Sequence, residues 1–359
     1  MKVLVVPKIN ASPAWILFVQ EILDMLNRNG IETAVSAPKD TYKHTALYPY
    51  APLSSSVLDK FRKTSPAGYE EYCYTSGISR QRYLKSDTET VKGIIDTFQP
   101  DHVLDLGRFS AIIAARMTNT PFISYVNGAM YRNRSFDPVM IREINSVLSS
   151  GKAEQVFRLN ELYQYAHGCF TLGSSTLNLL PESAEVLRIG RTYRKESAEE
   201  NPRNVCVYLY ESGIKKSRLK TLLDDAYKGA PYTIEIWYPG SDVGKEENLH
   251  YASSVRLSQL DRAQVLIHDG DDYLFHQAVL RGIPQLVITD GSWKRSWYAA
   301  TVSRNGFGTS LPEEDLNVRT LYESYRRLLA DEHYSLNAGK FKKEAQSLPG
   351  LDNLLTLFD

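Results

Sequence analysis

The chain has 359 residues, and its 42 Lys and Arg residues balance its 42 Asp and Glu residues. With 43% hydrophobic and 23% charged residues, the composition predicts a folded chain of about two domains rather than a disordered one. The zero net charge gives no electrostatic reason to expect nucleic acid or an anionic membrane as a partner.

The three cysteines, Cys73, Cys169 and Cys206, lie far apart and form no C-x-x-C motif. This pattern argues against a disulfide framework and a structural zinc site, and it favours a reducing, cytoplasmic location. The apolar run at the N-terminus is too short for a signal peptide. Because no run reaches about 18 apolar residues, we expect no membrane span.

The first predicted elements are a strand, a helix and a second strand. Residues 3–6 form a β-branched apolar run that is typical of a buried strand. Ser12 and Pro13 resemble the start of a helix, and Asn29-Gly30 resembles its end. The helix would bury one face, made of Trp15, Phe18, Val19, Ile22 and Leu26. With a strand over residues 31–37, this β-α-β start favours a parallel sheet.

The rest of the first half continues the alternation after a polar, tyrosine-rich stretch over residues 38–85. Its predicted elements are a helix over 87–98, strands over 103–106 and 121–126, two helices within 137–165, and strands over 169–172 and 185–189. Residues 191–203 are charged and carry no apolar period, which predicts an interdomain linker.

The pattern then restarts. The predicted elements are strands over 205–209, 232–238, 265–268 and 285–288, and helices near 219–226, 271–281, 293–304, 315–330, 333–346 and 350–358. The fold class is therefore α/β, with two Rossmann-like domains facing each other across a cleft. We expect an N-terminal domain over 1–190, a C-terminal domain over 204–340, and a helix over 341–359 that packs back on the N-terminal domain.

The segment over residues 263–284, AQVLIHDGDDYLFHQAVLRGIP, suggests a phosphate site. A strand ends at His268, Gly270 follows, and a helix then opens. A helix N-terminus offers unpaired N–H groups to an anion, and a glycine allows close approach of the backbone. His268 can donate to a phosphate oxygen and stabilise a departing diphosphate. A histidine and a turn without any ligand is the alternative.

The same segment resembles the donor motif of the family 1 UDP-glycosyltransferases, H-x-G-G-x-G-T-x-x-E-A-L-x-x-G-V-P. The matching positions are His268, Gly270, Ala278, Gly282 and Pro284. Weaker matches in the expected order include residues 100–105, 172–175 and 305–308. The resemblance implies a GT-B glycosyltransferase of natural-product biosynthesis, with a nucleotide sugar as co-substrate and no cofactor.

The resemblance also implies a set of donor-binding residues. They are Ser212, Gly213, His268, Gly270, Gln277, Lys294 and Arg295. This chain departs from the motif at several of these places. The second glycine of the motif becomes Asp271, which would repel a diphosphate unless it points away. Gln277 replaces a ribose-binding glutamate. Lys294 and Arg295 stand where the family has an Asp-Gln pair that binds the hydroxyls of the donor sugar. Two cations there favour an acidic sugar or an extra phosphate as ligand, and exposed surface cations are the alternative.

The family's base, a histidine at the start of the first helix, is absent, because Ala14 and Trp15 occupy that place. Asp105 is the first candidate to replace it, since a buried carboxylate can acquire a raised pKa and accept a proton. A simple cap at the strand end is the alternative role for Asp105. His44 is the second candidate, with a solvated loop histidine as its alternative.

The tyrosine-rich stretch lies where the resembling enzymes keep their acceptor loops. Aromatic rings stack on sugars and flat apolar molecules, so Trp15, Tyr48, Tyr72 and Tyr74 are the candidate acceptor-binding residues. The alternative is that these rings fill a loop-rich core.

The sequence therefore predicts an inverting, metal-independent, hexosyltransferase-like enzyme. It would move a sugar from a nucleotide-diphosphate sugar to a small-molecule acceptor, and it is a possible homodimer. A bound magnesium ion is the alternative to metal independence, because three clustered carboxylates could bind it, those of Asp269, Asp271 and Asp272. A catalytically inactive binding or partner protein, and a nucleotide-sugar epimerase or hydrolase, are the alternatives.

Overall fold

The structure is a computed structural model, and it describes residues 1–9, 11–38, 41–43, 45–48, 68–131, 138–180, 185–192, 204–210, 214–238 and 244–359. The chain forms two compact units. One contains Met1–Ala11, Ile16–Ile189 and Pro349–Asp359, and the other contains Ser12–Trp15 and Gly190–Leu348. Each unit is built on its own seven-stranded, mostly parallel sheet, so the prediction of two parallel-sheet α/β units is confirmed.

The elements of the first half alternate strands with helices. They are β1 (Lys2–Pro7), α1 (Pro13–Arg28), β2 (Glu32–Ser36), β3 (Ala46–Tyr48), α2 (Tyr69–Thr75), α3 (Gln81–Phe98), β4 (His102–Leu106), α4 (Ser110–Thr118), β5 (Phe122–Tyr125), α5 (Gly128–Tyr131), α6 (Pro138–Ser150), a 3₁₀ helix (Leu159–Tyr165), β6 (Gly168–Leu172) and β7 (Val186–Ile189). The strand order in the sheet is β3-β2-β1-β4-β5-β6-β7, and every neighbouring pair is parallel.

The first unit is held by an apolar sheet and one buried ion pair. The apolar side chains of β1 are fully buried, as expected for a parallel strand in the interior of a sheet. Arg108 follows β4, and its guanidinium donates to the Asp87 carboxylate of α3 and to the Ser36 hydroxyl. Because both charges are buried and hydrogen-bonded, this pair fixes the β4–α4 connection beside β2 and α3.

The elements of the second half repeat the alternation. They are β8 (Asn204–Tyr208), α7 (Lys216–Tyr227), β9 (Thr233–Trp237), β10 (Gly244–Glu246), β11 (Leu249–Ala252), α8 (Leu257–Leu260), β12 (Ala263–His268), α9 (Asp272–Arg281), β13 (Gln285–Thr289), α10 (Trp293–Arg304), β14 (Gly308–Pro312), α11 (Val318–Ala330) and α12 (Glu332–Ser347). The strand order is β10-β11-β9-β8-β12-β13-β14, with the β10–β11 pair antiparallel and the other pairs parallel.

The second unit has a core of buried aliphatic and aromatic side chains in which one face of its sheet packs against α7 and α11. The Tyr325 ring in this core lies 5.4 Å from the Tyr227 ring and 5.3 Å from the Tyr232 ring, measured between centroids. Helix α9 is nearly all buried, and it ends at Gly282, whose φ of +70° is the left-handed conformation that glycine adopts without strain.

Three parts of the structure differ from the predicted elements. Strand β3 lies inside the tyrosine-rich stretch over residues 38–85, where no strand was predicted. The β10–β11 hairpin and β14 were not predicted as strands, because their residues are polar or broken by glycine. Helix α3 begins at Gln81, six residues before the predicted start, and a 3₁₀ helix stands in place of the second helix expected within 137–165.

The end of the chain is divided between the units. Helix α12 belongs to the second unit, and Pro349–Asp359, with a 3₁₀ helix over Leu351–Leu357, belongs to the first. Most of the predicted linker, residues 193–203, lies outside the described residues. Among the helices that the structure describes, none combines the length and the apolar character needed to cross a bilayer.

Candidate functional site

Each sheet has a point where successive strands are added on opposite sides. In the second sheet this point lies between β8 and β12, where Tyr208 and His268 are register partners. In the first sheet it lies between β1 and β4, where Val6 pairs with Asp105. Ligands of open α/β sheets bind beyond the carboxyl ends of the strands at such points, so the residues after β12 and β4 are the candidates to inspect.

The turn after β12 is tight and closely packed. Gly270 has a φ of +80°, and its N–H donates to His268 Nδ1 at 3.2 Å. A Cβ at this position would lie 3.2 Å from the Cα of Arg295 in α10. Gly270 therefore allows the close packing of this turn against a protein neighbour, α10.

His268 is fully buried, and both of its ring nitrogens have protein partners. Since Nδ1 accepts from Gly270, Nε2 carries the proton and donates to Gln285 Oε1 at 2.9 Å. The pKa of His268 is lowered to about 3, chiefly by burial and to a smaller extent by the charge of Lys294, while the hydrogen bond to Gln285 acts in the opposite direction. The expected donation from His268 to a phosphate would require one of these hydrogen bonds to break.

Asp271 is the N-cap of helix α9. Its Oδ1 accepts from the backbone N–H groups of Tyr273 and Leu274, each at 3.0 Å, and its Oδ2 accepts from the Ser12 hydroxyl at 2.5 Å. Asp271 was expected to repel a diphosphate. It instead accepts hydrogen bonds from the helix N–H groups that were expected to bind a phosphate.

The other donor candidates with described side chains also have protein partners. Gln277 is fully buried, donates to the Thr192 hydroxyl, and accepts from Arg281 Nη1 at 2.5 Å. Arg295 is 5% exposed, and its Nη1 lies 3.2 Å from Asp290 Oδ2 and 3.4 Å from Glu313 Oε2.

These contacts change the interpretation of two donor candidates. Arg295 is a buried, ion-paired residue, so the alternative of a surface cation is wrong for it, while Lys294 is partly exposed. Ser212 and Gly213, the remaining donor candidates, and His44, the second base candidate, lie outside the described residues.

Asp105 lies at the carboxyl end of β4 and is fully buried. Its Oδ1 accepts from the N–H groups of Gly107 at 3.1 Å and Arg108 at 2.7 Å, so this oxygen acts as the cap that the sequence offered as an alternative role. Within the described residues its Oδ2 has no hydrogen-bond partner. One carboxylate oxygen thus has a fixed position, and the other is uncommitted.

Burial raises the pKa of Asp105 to about 6. The Arg108 N–H, the Ser124 hydroxyl, the Gly107 N–H and the Arg108 charge act in the opposite direction. Ser124 is the register partner of Asp105 on β5, but its hydroxyl does not reach hydrogen-bond geometry with Oδ2. A carboxyl group with a pKa near 6 can exchange a proton at physiological pH, which is the property required of a general base.

The four aromatic acceptor candidates lie on three elements, α1, β3 and α2. Trp15 is only 1% exposed and belongs to the second unit, so its ring packs inside protein. Tyr48 ends β3 near the Phe98 ring, Tyr72 on α2 is 40% exposed, and the Tyr74 ring lies 4.1 Å from the Arg80 guanidinium. The structure therefore places two of the four candidates, Tyr72 and Tyr74, together on one short helix.

Sequence reasoning identified Ser12 as a helix cap but missed that it also bonds Asp271, and it placed Tyr208 in a predicted strand without assigning its side chain a role. The N-cap role of Asp271 could have been found, since Asp immediately before a helical run is a common N-cap signal. The contact between Ser12 and Asp271 joins residues 259 positions apart and leaves no local signal. Within the described ranges, no group of three metal-ligating side chains is arranged to hold a metal ion.

Comparison with known proteins identifies the C-terminal region. Residues 247–355 match the model of the erythromycin biosynthesis protein CIII-like, C-terminal domain family. The chain is 29% identical over 83 residues to 3-alpha-mycarosylerythronolide B desosaminyl transferase of Saccharopolyspora erythraea, covering 23% of this chain and 20% of that protein. It is 26% identical over 115 residues to aclacinomycin-T 2-deoxy-L-fucose transferase of Streptomyces galilaeus, covering 32% and 26% respectively. The matches thus span about a quarter or less of these relatives.

Solved structures match over the whole chain at low identity. The glycosyltransferase VinC in complex with dTDP has a TM-score of 0.72 and 16% identity, covering 100% of this chain and 98% of that one. The spinosyn rhamnosyltransferase SpnG complexed with thymidine diphosphate has a TM-score of 0.72 and 17% identity, covering 100% of both chains. These likenesses confirm the predicted fold, and the family match confirms the resemblance. The chain has the GT-B fold, and residues 247–355 are similar to the erythromycin biosynthesis protein CIII-like C-terminal domain.

Proposed function

We propose that the chain is a glycosyltransferase that moves a sugar from a nucleotide-diphosphate sugar to a small-molecule acceptor. The observation that carries this proposal is the β12–α9 turn, which lies at the switch point of the second sheet and inside the matched family domain. The bound thymidine diphosphate in VinC and SpnG supports a nucleoside diphosphate as the leaving group.

The proposed donor site is the N-terminal end of α9 with the turn before it. Its backbone N–H groups and helix dipole would bear the negative charge of the leaving diphosphate, which makes a metal ion unnecessary for that purpose. His268 and Gln285 would act beneath the turn by fixing its conformation, since the His268 ring is buried and bonded to both Gln285 and Gly270.

The proposed reaction is a single displacement that inverts the anomeric carbon. The acceptor oxygen or nitrogen forms a bond to this carbon while the bond from this carbon to the phosphate oxygen breaks, and the diphosphate leaves with the electron pair. Asp105 would take the acceptor proton, and its uncommitted Oδ2 and its pKa of about 6 support this role. We expect the protein to work in the cytoplasm, and the free cysteines Cys73, Cys169 and Cys206 agree with a reducing environment.

The test is an activity screen of the full chain with UDP- and dTDP-sugars and a panel of small hydroxylated and amino acceptors. Mass spectrometry would detect the glycosylated acceptor, and NMR would give the anomeric configuration of the product. We expect sugar transfer with inversion that persists in EDTA.

Each other result of the screen contradicts part of the proposal. Loss of activity in EDTA would contradict metal independence, and retention would contradict the single displacement. Consumption of the donor without an acceptor would indicate the epimerase or hydrolase, and tight binding without turnover would indicate the inactive binding protein.

A further inference from the structure

Asp271 holds a position that a phosphate group would need. The first turn of a helix offers N–H groups without helical partners, and these are what an anion binds. In this chain the Asp271 carboxylate already accepts from two of them, the N–H groups of Tyr273 and Leu274, at 3.0 Å each. A diphosphate cannot bind the same N–H groups until this carboxylate leaves.

Asp271 is held in this position from a second side. The Ser12 hydroxyl donates to Asp271 Oδ2 at 2.5 Å, and Ser12 Oγ itself accepts from the Trp15 N–H at 3.1 Å. Both Ser12 and Asp271 are fully buried. The carboxylate is therefore an internal anion bound by three donors, two from α9 and one from the start of α1.

A buried hydroxyl beside this carboxylate is left without a hydrogen bond. Tyr208 is fully buried, and its hydroxyl makes no hydrogen bond with any described residue, although Ser12 and the Ala14 backbone are close enough to affect its pKa. Burial raises the pKa of Tyr208 well above its ordinary value, and the nearby charges of Asp271 and Asp269 raise it further. The Tyr208 hydroxyl is thus a buried polar group close to the Asp271 charge, with Ser12 and Ala14 beside it.

We propose that Asp271 is an affinity-setting residue that competes with the diphosphate of the nucleotide for the N-terminus of α9. The inference rests on the proposed function, because it takes this turn as the donor site. In the absence of nucleotide the carboxylate fills the site. When a nucleotide binds, the carboxylate rotates away from Tyr273 and Leu274, and the Tyr208 hydroxyl gains an acceptor. The competition weakens binding of both donor and product, and it speeds release of the nucleoside diphosphate after transfer.

The variant Asp271→Ser removes the negative charge at this position and keeps an N-cap residue for α9. Serine is a good N-cap, so α9 remains capped, but the internal anion is gone. The matched control is Asp331→Ser at the N-cap of α12, which makes the same substitution at a helix start outside the proposed donor site. Asp331 accepts from the His333 N–H, and serine retains a capping oxygen there. Circular dichroism melts would verify that both variants fold.

Isothermal titration with UDP and with thymidine diphosphate measures the effect. We expect Asp271→Ser to bind one of these nucleotides at least about tenfold more tightly than the unmodified chain, and Asp331→Ser to change the affinity by less than about threefold. If the unmodified chain binds a nucleotide and Asp271→Ser binds it no more tightly, the inference is wrong and the proposed function stands. An equal gain in both variants would also overturn the inference, since charge alone would then explain it. If neither the unmodified chain nor Asp271→Ser binds a nucleotide, the donor site and the inference fail together.

Discussion

Asp105 combines a fixed carboxylate oxygen with an uncommitted one. If it is the base, Asp105→Asn should lower kcat by at least about a hundredfold with little change in KM. Asparagine retains an oxygen that can accept from Gly107 and Arg108, so the β4–α4 connection should still form. Steady-state kinetics on the best donor and acceptor pair would measure the change.

The control for this prediction is Asp101→Asn at the exposed start of β4, where asparagine can still accept from the Lys2 N–H. We expect this variant to keep its activity. Turnover by Asp105→Asn that equals that of the control would remove Asp105 from the mechanism.

The pH dependence of the rate is a second prediction about Asp105. A base must be deprotonated, and burial raises the pKa of Asp105 to about 6. We therefore expect kcat/KM to rise with pH up to about 6 and then to level off. A profile that is flat between pH 5 and 7 would show that no group with this pKa acts in the free enzyme.

Buried His268 should make the free energy of unfolding depend on pH. Its pKa is about 3 in the folded chain, against an ordinary value of 6.5, because it is buried. Below pH 6.5 His268 is therefore protonated in the unfolded chain but remains neutral in the folded chain. The contribution of neutral, buried His268 to the free energy of unfolding is present above pH 6.5 and is lost as the pH falls. The loss amounts to about 1.4 kcal/mol in the free energy of unfolding at one pH unit below 6.5.

Urea denaturation of the unmodified chain and of His268→Asn at pH 7.5 and pH 5.5 would test this. Asparagine can accept from the Gly270 N–H but does not titrate. The variant should lose about 1.4 kcal/mol less than the unmodified chain between the two pH values. Equal losses in both proteins would mean that His268 does not resist protonation.

The hydrogen-bond partners of individual site residues were the feature that the sequence predicted least completely. His268, Gly270 and Asp105 were selected from their places after strands, and the structure does put them at the two switch points. What the sequence could not supply was their partners. Gln277 bonds Thr192 and Arg281, and Ser12 bonds Asp271, through contacts that local spacing does not encode.

At the scale of elements, buried strands and long amphipathic helices were predictable. The β-branched run of β1 and the apolar face of α1 carry strong periodic signals. The β10–β11 hairpin and β14 were missed because edge strands are short and lack such runs. Their formation depends on pairing with β9 and β13, which is a tertiary effect.

The tight β12–α9 turn should not tolerate an added side chain at Gly270. Gly270→Ala places a Cβ at a φ of +80° and 3.2 Å from the Cα of Arg295. We expect a loss of roughly 2 kcal/mol in the free energy of unfolding, from backbone strain and from overpacking against α10. Urea denaturation would measure the loss.

The matched control is Gly339→Ala in α12, where an added Cβ would meet no heavy atom within 4 Å. This change should stabilise the chain by up to about 1 kcal/mol, because alanine favours helix. If Gly270→Ala leaves the free energy of unfolding unchanged or raises it, as Gly339→Ala should, the turn is less constrained than the structure implies.

At the scale of the whole molecule, two β/α repeats joined near residue 190 were enough to predict the two units. The two sheets have the same strand order around their switch points, and the solved glycosyltransferases share the complete fold. The assignment of Pro349–Asp359 to the first unit depends on packing, for example of Leu357 beside Gly168, where an added Cβ would lie 3.1 Å from the leucine.

A crystal structure of the chain with UDP or thymidine diphosphate would show where the diphosphate binds. We expect it at the turn over residues 268–272, within hydrogen-bond distance of the N–H groups of Tyr273 and Leu274, with the Asp271 carboxylate rotated away from them. A nucleotide bound anywhere else, with Asp271 still capping α9, would contradict this expectation.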